Sequence, residues 1–120
     1  MYWSKLGVWE KAHELVLRIY QTIAAFPDSE KYALSDQLKR AAYSVPANIV
    51  EGHSRQTSRE LIKFLYQARG SLEEVRYFLL LSKDLNYLNH NTFNELEDRS
   101  RTISRMLNSL ISSIKKKLNS

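Results

Sequence analysis

The stretch from Gln37 to Arg55, Q-L-K-R-A-A-Y-S-V-P-A-N-I-V-E-G-H-S-R, decides the fold. Leu38, Ala41, Ala42, Val45 and Ile49 recur at steps of three and four residues, which is one face of an α-helix. Pro46 stands inside that pattern. A proline there has no amide to donate and crowds the carbonyl of Ala42, so it costs about 3 kcal/mol and bends the helix. Packing against other elements must offset that cost. The segment, helix 2, is therefore expected over about Ser35 to Glu51 as part of a core, with Gly52 as its C-terminal cap.

The same period extends outward in both directions. Helix 1 is expected from about Leu6 to Phe26, with Trp9, Ala12, Val16, Ile19, Ile23 and Phe26 as its seam and Pro27 as its stop. The linker Asp28–Leu34 has room for a short turn. Helix 3 opens at the capping box Thr57-Ser-Arg-Glu60 and runs to about Asn86, with Leu61, Leu65, Ala68, Leu72, Val75 and Leu79 facing inward. Asn86–Asn91 reads as a polar turn. A second box, Thr92-Phe-Asn-Glu95, opens helix 4, whose stripe is Leu96, Ile103, Leu107, Leu110, Ile114 and Leu118. Long helices joined by short turns pack antiparallel to their neighbours. The expectation is an all-α, up-down-up-down antiparallel four-helix bundle with helix 2 bent at Pro46.

Composition agrees. The chain has 120 residues, enough for a single domain over 1–120 that buries roughly two-thirds of its unfolded surface. Three glycines and two prolines argue against a strand-rich fold. There is no cysteine, so no disulfide and no thiolate chemistry, which suits a reducing cytoplasm. The opening M-Y-W-S-K-L-G lacks the blocks of a signal peptide, and the longest apolar run, Tyr77–Leu81, is far too short for a membrane span. A cytoplasmic protein with no membrane role is expected.

The net charge of +5 is unevenly placed. From Arg99 onward there are six basic residues and no acidic ones; the first 98 residues carry 12 basic and 13 acidic. Arg101, Arg105, Asn108, Ser112, Lys115 and Lys116 fall within about 100° of arc on helix 4, opposite its apolar stripe, with Arg99 and Lys117 flanking. Such a stripe can line up with phosphates and release counterions. Arg99, Arg101, Arg105, Lys115, Lys116 and Lys117 are the candidate nucleic-acid residues. The bland reading is a solvated helix face whose late cations favour the helix dipole. A second basic set, Lys39, Arg40, Arg55, Arg59 and Lys63, has Asp36, Glu51 and Glu60 close by and reads as structural.

Helix 3 is apolar on more than one side. Ile62, Tyr66, Leu80 and Tyr87 form a second stripe, Tyr77 and Leu81 widen it, and Arg69 and Arg76 sit between the two stripes as interface charges do. These eight residues are the candidate surface for self-association. The alternative is a wide core face with scattered exposed tyrosines.

Catalysis finds no support. Glu10-Lys-Ala-His13 is half of a di-iron bundle motif, and its counterpart on helix 3, Glu73-Glu74-Val-Arg-Tyr77, has tyrosine where histidine is needed. His53 and His90 fall in turns without partners. There is no glycine-rich phosphate loop and no nucleophile motif. No catalytic residue, metal, cofactor or small-molecule substrate is expected. Pro46, Asn48, Glu51, Gly52 and Arg55 read as a structural motif that holds the helix 2–3 turn, and Gly70 with Ser71 as a point of close helix approach.

W-E-K-A-H-E-L at Trp9–Leu15, F-P at Phe26–Pro27, L-S-D-Q-L-K-R-A-A-Y-S-V-P-A-N-I-V-E-G at Leu34–Gly52 and F-L-Y-Q-A-R-G-S-L-E-E at Phe64–Glu74 stand in the order and spacing of one known family. The chain resembles the 23S rRNA-intervening sequence proteins, over about residues 6–118. It is also similar to the accessory variability proteins of diversity-generating retroelements, which form homopentameric barrels and bind nucleic acid and a reverse transcriptase. The resemblance implies a bundle, a homo-oligomer (a pentamer), an RNA or ribonucleoprotein partner, and no catalysis. A scaffold or adaptor is the expected function, with a pure protein–protein interaction module as the alternative.

Overall fold

Leu38, Ala42, Val45 and Ile49 are buried, and Pro46 is buried beside them within a helix that continues to His53. The computed structural model describes residues 1–119. It contains four α-helices: α1 Gly7–Ile23, α2 Leu34–His53, α3 Ser58–Asp84 and α4 His90–Leu118. Single 3-10 turns occupy Tyr2–Lys5 and Asp28–Glu30, and the described residues hold no strand. The molecule measures 50 × 23 × 21 Å, a bundle whose long axis matches its longest helix.

Side-chain contacts fix the direction of each neighbour. On the α1–α4 side, Arg18 meets Glu95, Glu14 meets Arg99, and Gly7 lies against Met106. Numbers rise on one helix as they fall on the other. The same is true of α3 and α4, where Arg76 meets Glu97, Arg69 meets Asn108 and Lys115 covers Tyr66. Between α1 and α2, Lys39 lies over Tyr20, and Tyr2, in the turn just before α1, lies beside His53. Ser44 bonds Ser71, and Gly52 faces Leu61, between α2 and α3. Each adjacent pair is antiparallel, and one cluster of buried side chains draws on all four helices.

The ends of the helices follow ordinary capping chemistry. Thr57 accepts from the Glu60 amide at 3.2 Å, the hydroxyl half of the expected box; the return bond from the Glu60 carboxylate is not formed. α3 closes with a Schellman turn. Asn86 takes φ 65°, its amide donates to Lys83 and the Tyr87 amide donates to Ser82, both at 2.9 Å. Asparagine tolerates that left-handed conformation better than most residues.

Several expectations need correction. α4 starts two residues before the predicted box. Asn89 is its cap and accepts from the Thr92 amide at 2.7 Å, because the α3 turn already aims the chain along the new helix. α1 stops at Ile23, ahead of Phe26. Gly52 is helical and not a left-handed cap. A Cβ there would stand 3.0 Å from Leu61 Cδ1 and Phe64 Cβ, so its absence admits α3. Gly70 has nothing within 4 Å of such a Cβ and admits no neighbour. The close approach is made at Ser71 instead, whose hydroxyl meets that of Ser44 at 2.9 Å. Asn48 completes this link by donating to the Ser44 carbonyl at 2.8 Å and hydroxyl at 3.0 Å. His53 is the last residue of α2, and its Nδ1 bonds the Ile49 carbonyl at 2.8 Å; His90 is the first residue of α4.

Candidate nucleic-acid interface

The six cations of α4 face different surroundings, although the sequence presents them as one run. Arg99 is turned toward α1. Its guanidinium meets Glu95 at 3.1 Å and Glu14 at 3.8 Å, so it belongs to an ion-paired seam and not to the acid-free stripe. Glu95 is the hub of that seam. Arg18 grips it with two nitrogens, Nε at 2.8 Å and Nη2 at 2.9 Å. The bond from Arg18, then that from Arg99, holds the Glu95 carboxyl below the usual carboxylate range, and the Arg18 guanidinium is raised in turn. Arg101 is exposed but 3.6 Å from Asp98.

The second half of α4 differs. Arg105 is exposed and, among the described residues, bonds only the Thr102 hydroxyl, at 3.4 Å. Lys116 is exposed and has no carboxylate partner among the described residues. Lys115 places its ammonium 5.0 Å from the centre of the Tyr66 ring. Lys117 is exposed at the end of the same helix.

Antiparallel packing adds cations from α3. The start of α3 lies beside the end of α4, and an open cleft of about 360 Å³ is lined by Arg59, Ile62, Lys115 and Leu118. A second opening of about 390 Å³ adjoins it and takes in Lys63 and Tyr66, with Glu60 as its single acid. Arg69 stands 4.7 Å from the Tyr66 ring and donates to Asn108 at 3.0 Å. Arg59 and Lys63 are exposed and carry no ion pair among the described residues. In the sequence these two belong to a set that reads as structural, with Asp36, Glu51 and Glu60 close by. The turn at residues 85–89 held the missing signal, because reflecting α3 about it brings Arg59 and Lys63 level with Lys115.

The proposed self-association stripe is largely used up within the chain. Ile62 is buried in the core at 8% exposure, Leu81 packs against the core, and Tyr87 lies against Phe26 and donates to Glu30 at 3.0 Å. α3 has two neighbours, α2 and α4, so it buries about half its circumference and needs a wide apolar face. Arg69 and Arg76 are likewise engaged internally. Arg76 clasps Glu97 at 2.7 Å and Glu73 at 3.0 Å, and those bonds raise its affinity for the proton. Of the eight residues, Tyr77 (58%) and Leu80 (42%) are the two that stay open. Leu17 (52%), Tyr20 and Tyr43 are also exposed, and together they give the α1–α2 side an apolar surface that the sequence pattern did not single out.

The residues around the helix 2–3 turn act on one another. Arg55 pairs with Glu51 and lays its guanidinium 4.8 Å from the Phe64 ring, and Ser54 caps the Glu51 carbonyl at 2.7 Å. This ties the end of α2 to the first turns of α3. No group of three or more metal-ligating side chains occurs among the described residues. No helix among them is long and apolar enough to cross a membrane.

Residues 4–109 match the family model of the 23S rRNA-intervening sequence proteins. The fold matches a crystal structure of a protein of unknown function from the S23 ribosomal protein family of Bacteroides thetaiotaomicron VPI-5482. That match has a TM-score of 0.78 at 26% identity, over 87% of this chain and 97% of that one. No curated protein matches the chain.

Proposed function

The chain belongs to the 23S rRNA-intervening sequence protein family, and from that premise we propose that it is a non-enzymatic, self-assembling helical scaffold that contacts RNA or ribonucleoprotein through the basic second half of α4. One observation carries the reading: Arg105, Lys115 and Lys116 stand exposed on the second half of α4 without a carboxylate partner among the described residues, whereas the cations of the first half are paired. Unpaired cations on a rigid helix exchange their counterions for phosphates at little cost. Among polyanions, RNA is favoured by the family and by the ribosomal family of the structural relative. A cytoplasmic site of action is part of this reading.

Titration of a structured RNA at two salt concentrations tests it. Affinity should fall steeply with salt. Glutamine at Arg105, Lys115 and Lys116 should flatten the dependence by about 0.7–0.9 per contact removed. Binding that ignores salt would refute the phosphate reading.

Self-assembly draws its support from exposed Leu17, Tyr20, Tyr43, Tyr77 and Leu80. The subunit number, a pentamer, rests on family resemblance. Sedimentation at monomer mass across a dilution series would leave the same residues to a different protein, the pure interaction module.

A further inference from the structure

We infer that the RNA-backbone site is a two-helix cleft, in which Arg59 and Lys63 of α3 contribute as much as Lys115 and Lys116 of α4, while Arg99 and Arg101 contribute little. This rests on the RNA reading above and specifies its site. Arg59 and Lys115 line one opening, and Lys63 joins through the adjoining one, so all three can meet one chain of phosphates. The cleft cations run from residue 59 to 69 on α3 and face Lys115 on α4, with exposed Lys116 next to it in sequence. At 1.5 Å per residue the α3 row is about 15 Å long, more than one isolated anion can span. Like charges held this close repel one another, and a polyanion relieves that repulsion. Tyr66 fixes the middle of the row by holding Arg69 and Lys115 near its ring.

The same geometry says how the RNA is read. With two cations held against it, the Tyr66 ring is not free to stack on a base. Recognition is then directed to the backbone, with little preference among base sequences. At the other end of α4, Arg99 is shared by Glu95 and Glu14, and Arg101 lies by Asp98. A phosphate would have to displace the two carboxylates at Arg99, and the neighbouring Asp98 offsets part of the Arg101 charge.

The test is fluorescence anisotropy of the full chain with a structured RNA hairpin across a salt series. Three double variants are compared: Arg59→Gln with Lys63→Gln, Lys115→Gln with Lys116→Gln, and Arg99→Gln with Arg101→Gln. The first two should each reduce the slope of log affinity against log salt by about 1.4–1.8, and the third by less than about 0.5. Hairpins with A-rich and U-rich loops should bind the wild type equally. Far-UV circular dichroism confirms that each variant folds, and all six positions lie on the bundle's surface or its half-exposed seam. If the α3 pair leaves the slope unchanged while the α4 pair lowers it, the two-helix cleft is overturned and the α4 reading stands. If the wild type binds no RNA at low salt, both fall.

Discussion

The α3–α4 face has two ends, and they treat charge in opposite ways. Near the 85–89 turn, Arg76 holds Glu97 and Glu73 and the Lys83 ammonium covers the Phe93 ring at 4.5 Å, while on the neighbouring α1–α4 side Arg99 and Arg18 share Glu95. At the opposite end Arg59, Lys63 and Lys116 have no carboxylate partner among the described residues. The hydrophobic interior beneath is alike, with Leu65 and Leu79 both fully buried. One end spends its charges on holding helices together; the other leaves them facing solvent. A count of basic residues along α4 cannot tell these apart, because the acids that neutralise Arg99 come from an earlier turn and from α1.

The largest expected effect tests the shared core. Leu65→Ala and Leu79→Ala should each cost about 2–5 kcal/mol in denaturant unfolding. A much larger loss at one position would mean that the ends differ in packing as well as in charge. Next comes Arg76→Met, which leaves Glu97, one-fifth exposed, without its clasp. It should cost about 1–2 kcal/mol, whereas Arg59→Met should stay within about 0.5 kcal/mol of wild type. Equal costs would erase the contrast between the two ends.

Glu95 adds a pH signature. Its folded carboxyl is held below the usual range by Arg18 and Arg99, so its contribution is complete above the unfolded value and is lost as pH falls through the lowered folded value. The group is about a third exposed, so solvent screening limits the gain to about 0.5–1 kcal/mol at neutral pH. Glu95→Gln should be less stable than wild type by that amount at neutral pH, and the difference should vanish in acid. A difference that grew on acidification would contradict the assignment. The smallest effect belongs to the exposed Arg101–Asp98 pair, 3.6 Å apart. Asp98→Asn should change stability by no more than about 0.3 kcal/mol, measured as the denaturation midpoint.

Much of the bundle was legible in the chain. Period alone identified Leu38, Ala42, Val45 and Ile49, and likewise Leu65, Leu72 and Leu79, because a helix must turn its apolar residues to one side. The Thr57 cap was readable because a hydroxyl three residues before a free amide is a local matter. The start of α4 is not legible in the chain, since Asn89 and Thr92 both suit a cap and the choice depends on where the α3 turn delivers the chain. The burial of Ile62 is hidden from the sequence for a different reason. One helix's pattern shows how much surface is apolar, not how many neighbours will cover it. The basic site was half legible. Lys115 and Lys116 announced themselves, while Arg59 and Lys63 gained their meaning only from the helix beside them.

The sequence by itself determined four helices and most of the buried face of each, because hydrophobic period and capping act over a few residues. The tertiary structure alone decided which cations are free. Ion pairing depends on distance in space, and antiparallel packing brings Glu14 and Glu95 to Arg99 while it brings more positive charge, Arg59 and Lys63, to Lys115.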